Sequence, residues 1–142
     1  MSSSISPIAA SLNVALGGAI GAVLRYQLGR GITHWLGPQV VTAFPWATLA
    51  ANVIGSLAMG LLAGWLARHG GEQSNLLVPE QARLLIGVGL LGGFTTFSAF
   101  SLEMMLLIER GQAITAFTYA TVSVLAGLVG LYMGLIVIRV TG

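Results

Sequence analysis

The sequence predicts an all-helical membrane protein with four transmembrane spans. Of its 142 residues, 56% are hydrophobic and only 7% are charged, against roughly 25% charged in a soluble domain. Six basic and four acidic side chains are too few to cover a soluble surface. The chain also contains four apolar runs, each reaching the ~20 residues that cross the hydrocarbon core of a bilayer.

The four spans are expected in one domain that covers residues 1–142. No basic residue precedes the first span, and its apolar run is longer than that of a signal peptide, so we expect it to be retained. The connection HGGEQSNLLVPEQAR between the second and third spans is the most polar loop. The spans are predicted near Ile8–Leu28, Pro45–Ala67, Ala82–Ile108 and Ala113–Ile138.

The arginines predict no preferred orientation in the membrane. Four spans place three arginines on each side, so the positive-inside rule does not favour either topology. A chain without this bias can insert both ways, and two opposite copies could then pair as an antiparallel homodimer. One side carries Arg68, Arg83 and Arg139, and the other carries Arg25, Arg30 and Arg110.

Small residues spaced four apart predict close packing of the helices. Such pairs let two helix backbones approach each other within a membrane. They explain how a bundle assembles and indicate no function. The glycine pairs are Gly17/Gly21, Gly60/Gly64 and Gly130/Gly134.

Several function classes are disfavoured by composition. The absence of cysteine excludes disulfides and thiolate metal sites. A net charge of +2 is too small for a nucleic-acid-binding surface. The run GVGLLG at residues 87–92 fits a dinucleotide-binding fingerprint, but it lies inside an apolar span with no strand before it.

Polar side chains inside the spans are the candidates for function, because each costs free energy unless it faces protein or water. In the second span, Asn52 and Ser56 lie one helical turn apart, and in the fourth span Tyr119 and Ser123 do the same. An asparagine here could also serve only to hold helices together. In the third span one face is shared by Phe97, Phe100 and Ser101.

The segment GGFTTFSAFSLE, residues 92–103, predicts a break in the third span. Gly92 and Gly93, followed by Thr95 and Thr96, can interrupt the helix and free backbone carbonyls, which could form a small cation site. The edges of the phenylalanine rings carry positive charge and would favour a small anion weakly. Amide and hydroxyl donors nearby could replace the water around that anion.

At these residues the sequence resembles the Fluc or CrcB family of small dual-topology fluoride channels. The most specific element is GGFTTFSAF. Further matches are GAVLRY at 21–26, TLAANVIGS at 48–56 and, more loosely, YATVS at 119–123. The resemblance covers all four spans.

The resemblance implies an antiparallel homodimer in the bacterial plasma membrane, with two pores that export fluoride passively. Phe97 and Phe100 correspond to the aromatic pair of the pore, and Asn52 corresponds to the pore asparagine. Tyr119 and Ser123 fall on the polar track of the fourth span.

The resemblance also implies a structural sodium ion at the centre of the dimer, held by the main-chain carbonyls of Gly92 and Thr95 from both subunits. Arg25 corresponds to an arginine at the wide aqueous entrance, where positive charge attracts anions. For Glu103, at the acidic position of the family, we expect no role beyond tuning the pore or vestibule, and we group Ser56 and Ser101 with it.

This sequence departs from the family pattern at three positions. Ala99 stands where threonine or serine is frequent, Leu90 where phenylalanine is common, and Gly127 where some members have serine. The changes at Ala99 and Gly127 remove hydroxyl groups, so individual ligands of the fluoride path stay open.

Two other functions stay open from the residues alone. A small multidrug-type antiporter also has four short spans and dual topology, but it needs a carboxylate in the membrane, and Glu103 is the only candidate. A membrane scaffold would use the glycines and Asn52 for packing only. No residue arrangement indicates an enzyme.

Overall fold

The computed structural model describes residues 5–70 and 77–141, and all regular structure within them is helical. Residues 71–76, which belong to the connection expected to be polar, lie outside the described part, as do the chain ends predicted to belong to the single domain. In chain order the elements are α1 Pro7–Leu36, α2 Pro38–Ala43, α3 Trp46–His69, α4 Leu77–Ala82, a π-helical segment Arg83–Leu91, α5 Gly92–Phe94, α6 Phe97–Glu109 and α7 Ala113–Val140.

Within the described residues, four helical stretches are long and apolar enough to cross a membrane, as the sequence predicts. They occupy the expected apolar runs, although their ends differ from the expected ones by several residues. The third begins at Val78 rather than Ala82. The stretches are Pro7–Leu36, Trp46–His69, Val78–Glu109 and Ala113–Val140.

Helix α1 extends well beyond the expected end of the first span at Leu28. It begins where Ser6 caps the N–H of Ala9 at 3.3 Å, and it continues to Leu36. Hydropathy predicts only the part of a helix that lies in the hydrocarbon core of the bilayer. The helix itself continues until a residue that disfavours helical geometry ends it. Here that residue is Gly37, which has a φ of 86° and precedes a proline.

The helices form two parallel pairs. Helix α1 packs mainly against the π-helical segment and α5, and α3 packs mainly against α7. Glycine makes both contacts close, which confirms the predicted packing role of the glycine pairs. We call the first contact the glycine seam, and its members are Gly17, Gly21, Gly89 and Gly93.

Backbone meets backbone along the glycine seam. A Cβ on Gly21 would lie 2.8 Å from the Phe94 nitrogen, and one on Gly93 would lie 3.1 Å from the Gly18 Cα. Real side chains do not tolerate the first of these distances. The π-helical segment takes part in the seam through Gly89, where a Cβ would lie 2.9 Å from the Gly17 Cα. A π-helix longer than a single turn is rare.

The contact between α3 and α7 fixes the register of these two helices. A Cβ on Gly60 would lie 3.1 Å from the Gly134 Cα, and one on Gly64 would lie 2.9 Å from the Ile138 Cβ. Positions therefore advance together along the two helices, which run in the same direction. The same register continues toward the start of both helices, where the polar residues lie.

Candidate functional site

The third span is interrupted at two threonines. Helical geometry ends at Phe94, and Thr95 (φ −86°, ψ 159°) and Thr96 (φ −153°, ψ 123°) are extended before α6 begins at Phe97. Extended backbone suits β-branched threonine. Gly92 retains helical dihedrals, so within the predicted stretch Gly92–Thr96 the break falls at the two threonines and not at the glycines. Lacking a Cβ, Gly93 instead permits the close approach of α1.

Asn52 holds the break in place from α3. Its side-chain Nδ2 donates to the Thr96 carbonyl at 3.1 Å, and its Oδ1 accepts from the Thr96 N–H at 2.8 Å. Both backbone polar groups of one extended residue are thus satisfied by one amide. Since unpaired backbone groups are costly at membrane depth, Asn52 stabilises the non-helical segment.

The break deprives the Gly92 and Thr95 carbonyls of their usual helical donors. In an unbroken helix the Thr96 N–H would bond to the Gly92 carbonyl and the Ala99 N–H to the Thr95 carbonyl. Instead, Thr96 donates to Asn52 at 2.8 Å, and Ala99 donates to the Thr96 hydroxyl at 3.2 Å. These are the two carbonyls that the family resemblance implies as ligands of sodium.

Arg25 bonds to the backbone immediately before the break. Its Nε donates to the Gly93 carbonyl at 3.3 Å, from α1 to α5. The guanidinium therefore has a defined partner in the protein, in addition to its place near the end of the predicted first span. It also lines an open cavity of about 610 Å³ between α1 and α3, together with Arg30, His34, Thr48 and Thr96.

Glu103 accepts two hydroxyl donors across three helices. The Thr48 hydroxyl on α3 donates to Oε1 at 2.6 Å, and the Tyr119 hydroxyl on α7 donates to Oε2 at 2.7 Å. Thr48 and Tyr119 are both buried, with Tyr119 at 0% exposure. The carboxylate thus ties α3, α6 and α7 together at one level of the bundle.

Aromatic rings surround Tyr119. The Phe100 ring lies 5.1 Å from it between centroids, and the Phe44 ring lies 5.4 Å away in an edge-to-face arrangement. Phe97 stacks obliquely on Phe100 at 5.8 Å but is itself 79% exposed. The two phenylalanines of the motif therefore connect the buried Tyr119 to an open face of α6.

The polar side chains of α3 and α7 form what we call the polar ladder: Thr48, Asn52 and Ser56 on α3, beside Tyr119, Ser123 and the bare position Gly127 on α7. Glu103 bridges the first rung. The last rung pairs Ser56 with Gly127, because a Cβ added at Gly127 would lie 3.5 Å from the Ser56 Oγ. Thr48 and Tyr119 are 71 positions apart in sequence, as are Ser56 and Gly127, and the same register pairs Asn52 with Ser123. The Ser123 Oγ is buried and has no hydrogen-bond partner in the described part of the chain.

Comparison with known proteins agrees with this architecture. The model of the family described as "CrcB-like protein, Camphor Resistance (CrcB)" matches residues 12–135. The chain belongs to the CrcB family. It is a multi-pass membrane protein, and residues 5–70 and 77–141 contain four helices that can cross the bilayer.

Three relatives of the CrcB chain carry the name "Fluoride-specific ion channel FluC". The protein from Erythrobacter litoralis is 55% identical over 96% of this chain and 97% of its own length. The one from Novosphingobium aromaticivorans is 57% identical over 89% and 93%, respectively. The one from Rhodospirillum centenum is 51% identical over 90% and 94%.

The structure brings most of the predicted site residues of this CrcB protein into one region. Asn52, Phe100, Tyr119 and Glu103 lie around the break and the first rungs of the ladder, with Phe97 at the open face. Ser101 does not join them by its hydroxyl, which donates to the carbonyl of Phe97 in its own helix at 2.9 Å.

Sequence reasoning missed two members of the site, Thr48 and Phe44. Thr48 precedes Asn52 by four residues, so the i, i+4 spacing used for Ser56 would also have found it on the same face of α3. Phe44 lies in a short connection, where no periodicity indicates its contact with Tyr119. Glu103 was found, but its two hydroxyl partners could not be assigned from sequence.

Proposed function

We propose that this protein is a fluoride-selective channel through which fluoride leaves the cell passively. The observation that carries the proposal is the polar ladder, a row of hydroxyl and amide groups at membrane depth beside the Phe97–Phe100 pair. Polar groups are expensive there and mark a path for substrate or ions. The names of the three relatives supply the ion, because they agree on fluoride.

The entrance of the path is assigned to the cavity between α1 and α3. Arg25, Arg30 and His34 line this cavity, and it reaches Thr48 and Thr96. Positive charge in a cleft with low-dielectric walls raises the local concentration of anions. From here the proposed route passes the Phe97–Phe100 pair and continues along α7 through Tyr119 and Ser123.

Selectivity is attributed to weak, geometrically fixed donors. Fluoride must lose its water to pass, and hydroxyl groups and aromatic ring edges can replace part of that water without holding the ion permanently. Ser123 suits this role because its buried hydroxyl has no partner among the described residues. Asn52 contributes indirectly, since one N–H and its oxygen are bound to Thr96.

The proposal includes a second, antiparallel copy of the chain and a sodium ion between the two copies. The balanced arginines support dual insertion, and the 79% exposure of Phe97 is consistent with a face that a second copy covers. The carbonyls of Gly92 and Thr95 fit a small hard cation, since the diverted N–H groups of Thr96 and Ala99 leave them as oxygen donors. Sodium would supply positive charge that cross-links the two breaks.

Passive transport is sufficient for export. Hydrogen fluoride enters cells as a neutral weak acid and dissociates at the higher internal pH, which traps the anion. In a plasma membrane that is negative inside, an anion is driven outward by ~2.3 kcal/mol per 100 mV. The proposed location is therefore the bacterial plasma membrane, and the proposed role is relief of fluoride toxicity.

The test is anion efflux from liposomes that contain the purified protein, measured with fluoride- and chloride-selective electrodes. We expect rapid loss of fluoride and retention of chloride. Phe100→Ile should slow fluoride loss, whereas Thr118→Ala should not, because the Thr118 hydroxyl bonds only within its own helix, to the Ile114 carbonyl. Retention of fluoride by a well-folded wild-type protein would overturn the proposal and make proton-coupled exchange through Glu103 the next activity to measure.

A further inference from the structure

The last rung of the polar ladder is asymmetric. Ser56 projects its hydroxyl from α3 toward Gly127 on α7, and a Cβ on Gly127 would lie 3.5 Å from the Ser56 Oγ. At the two preceding rungs α7 carries a hydroxyl itself, on Tyr119 and Ser123. At this rung the side chain of α7 is missing, and the hydroxyl comes from the opposite helix.

The neighbouring rung has an unmet hydrogen-bonding requirement. The Ser123 Oγ is buried and has no hydrogen-bond partner in residues 5–70 and 77–141. A serine in a helix ordinarily bonds to the carbonyl four residues earlier, as Ser101 and Thr118 do here. An unpaired buried hydroxyl is costly, so its position favours a transient partner such as an ion or water. Gly127 follows Ser123 by one turn on the same face of α7.

We propose that the Ser56 hydroxyl is a ligand of the anion path, presented from α3 into the space that Gly127 leaves open, and that it receives the ion after Ser123. The ligand is a small, dehydrated monovalent anion that accepts hydrogen bonds from O–H donors. The inference rests on the proposed function and specifies it, because it extends the path along α3 as well as α7.

A purely structural role for Ser56 makes a different prediction. Serine at a contact between membrane helices also serves as a small packing residue or an interhelical hydrogen-bond donor. In that role the hydroxyl would matter for assembly and could not be moved to another helix. As a ligand, it should be replaceable by a hydroxyl at position 127, where a Cβ meets Ser56 at an ordinary van der Waals distance.

The experiment compares initial rates of fluoride efflux from liposomes for the wild type, Ser56→Ala, and Ser56→Ala combined with Gly127→Ser. We expect Ser56→Ala to slow efflux about tenfold, the effect of one lost hydrogen bond to a charged group. The added Gly127→Ser should restore the rate to within about threefold of wild type. Size-exclusion chromatography and thermal unfolding in detergent report whether each variant is folded.

Two controls isolate the hydroxyl. Ser56→Ala combined with Gly127→Ala adds the same Cβ without the oxygen and should remain slow. Ser11→Ala removes a serine hydroxyl that bonds to the Pro7 carbonyl of its own helix, and it should conduct like wild type.

Each outcome separates the inference from the proposed function. A conducting wild type with an equally fast Ser56→Ala variant overturns the inference alone. A slow Ser56→Ala variant that Gly127→Ser does not rescue, although folded, also overturns it, because the hydroxyl would then act only from its place on α3. A wild type that releases no fluoride overturns the proposed function, and the inference falls with it.

Discussion

The two close helix contacts of this bundle, the glycine seam and the contact between α3 and α7, both depend on glycine but differ in the groups they bring together. In both, parallel helices approach closely because glycine lacks a Cβ. The glycine seam between α1 and the third span brings backbone against backbone, and Arg25 donates a side-chain hydrogen bond across it to the Gly93 carbonyl. The α3–α7 seam is divided: its later half is close-packed at Gly60 and Gly134, and its earlier half carries the polar ladder.

The difference indicates that close packing and the proposed ion path require the same helix surface. A glycine position brings two backbones together but offers no side-chain donor, whereas a serine or asparagine adds a hydrogen-bonding group at the contact. The chain therefore separates the two tasks along its length. Gly127, the bare position at the end of the ladder, lies at the boundary between them.

The largest effect is expected from filling the glycine seam. Gly21→Val would place a branched side chain where even a Cβ lies 2.8 Å from the Phe94 nitrogen. Backbone cannot move aside as a flexible side chain can, so the cost should exceed the ~1–3 kcal/mol of ordinary overpacking. We expect loss of the monodisperse protein peak in size-exclusion chromatography.

The matched control for the glycine seam is Gly31→Ala on the same helix, where a Cβ meets nothing within 4 Å. It should leave the peak unchanged and raise the thermal unfolding midpoint slightly, because alanine favours a helix by ~1 kcal/mol over glycine. A normally folded Gly21→Val protein would show that the seam is not close-packed in the membrane.

An intermediate effect is expected from removing the Asn52 side chain of the polar ladder. Asn52→Ala removes both partners of the Thr96 backbone in the break, and each unsatisfied group costs ~1–3 kcal/mol. Fluoride efflux from liposomes should fall about 100-fold, while the glycine seam and hence the folded peak persist. Asn13→Ala on α1 is the matched control. An Asn52→Ala protein that conducts at the wild-type rate would contradict the role of Asn52 in stabilising the break.

The smallest effect is expected from Tyr119→Phe. It removes the hydroxyl that donates to Glu103 but keeps the ring contacts with Phe44 and Phe100. One lost hydrogen bond to a charged group is worth ~1.5–3 kcal/mol, which should lower the thermal unfolding midpoint and slow efflux less than Asn52→Ala does. Tyr132→Phe, on the exposed face of α7, should change neither quantity.

Local pattern was sufficient to predict the spans and most of the candidate site. The apolar runs predicted four helices because the bilayer imposes a minimum length, and the spacing of Tyr119 and Ser123 placed both on one face of a helix. The break was also predicted between Gly92 and Thr96, and within that stretch it lies at Thr95 and Thr96 while Gly92 stays helical. Conformational freedom in a glycine does not say whether a neighbouring helix requires it to remain helical.

The hydrogen-bond and ring-contact partners of the polar side chains could not be predicted from the sequence. Glu103 bonds to residues 55 and 16 positions away, and no local periodicity relates positions on different helices. Phe44 approaches Tyr119 from a connection between helices. These contacts depend on how the helices are rotated and shifted relative to each other.

By itself, the sequence determined that this chain spans a membrane. It also determined the approximate positions of the helices and the polar residues that are unusual within them. Those properties depend on transfer into lipid and on helical periodicity, which act within one segment. Only the tertiary structure decided the register of α3 against α7, and with it the pairing of Ser56 with Gly127. That register is set where the two backbones approach until carbonyls and Cα atoms are in contact. Such a contact depends on two segments together and not on either one alone.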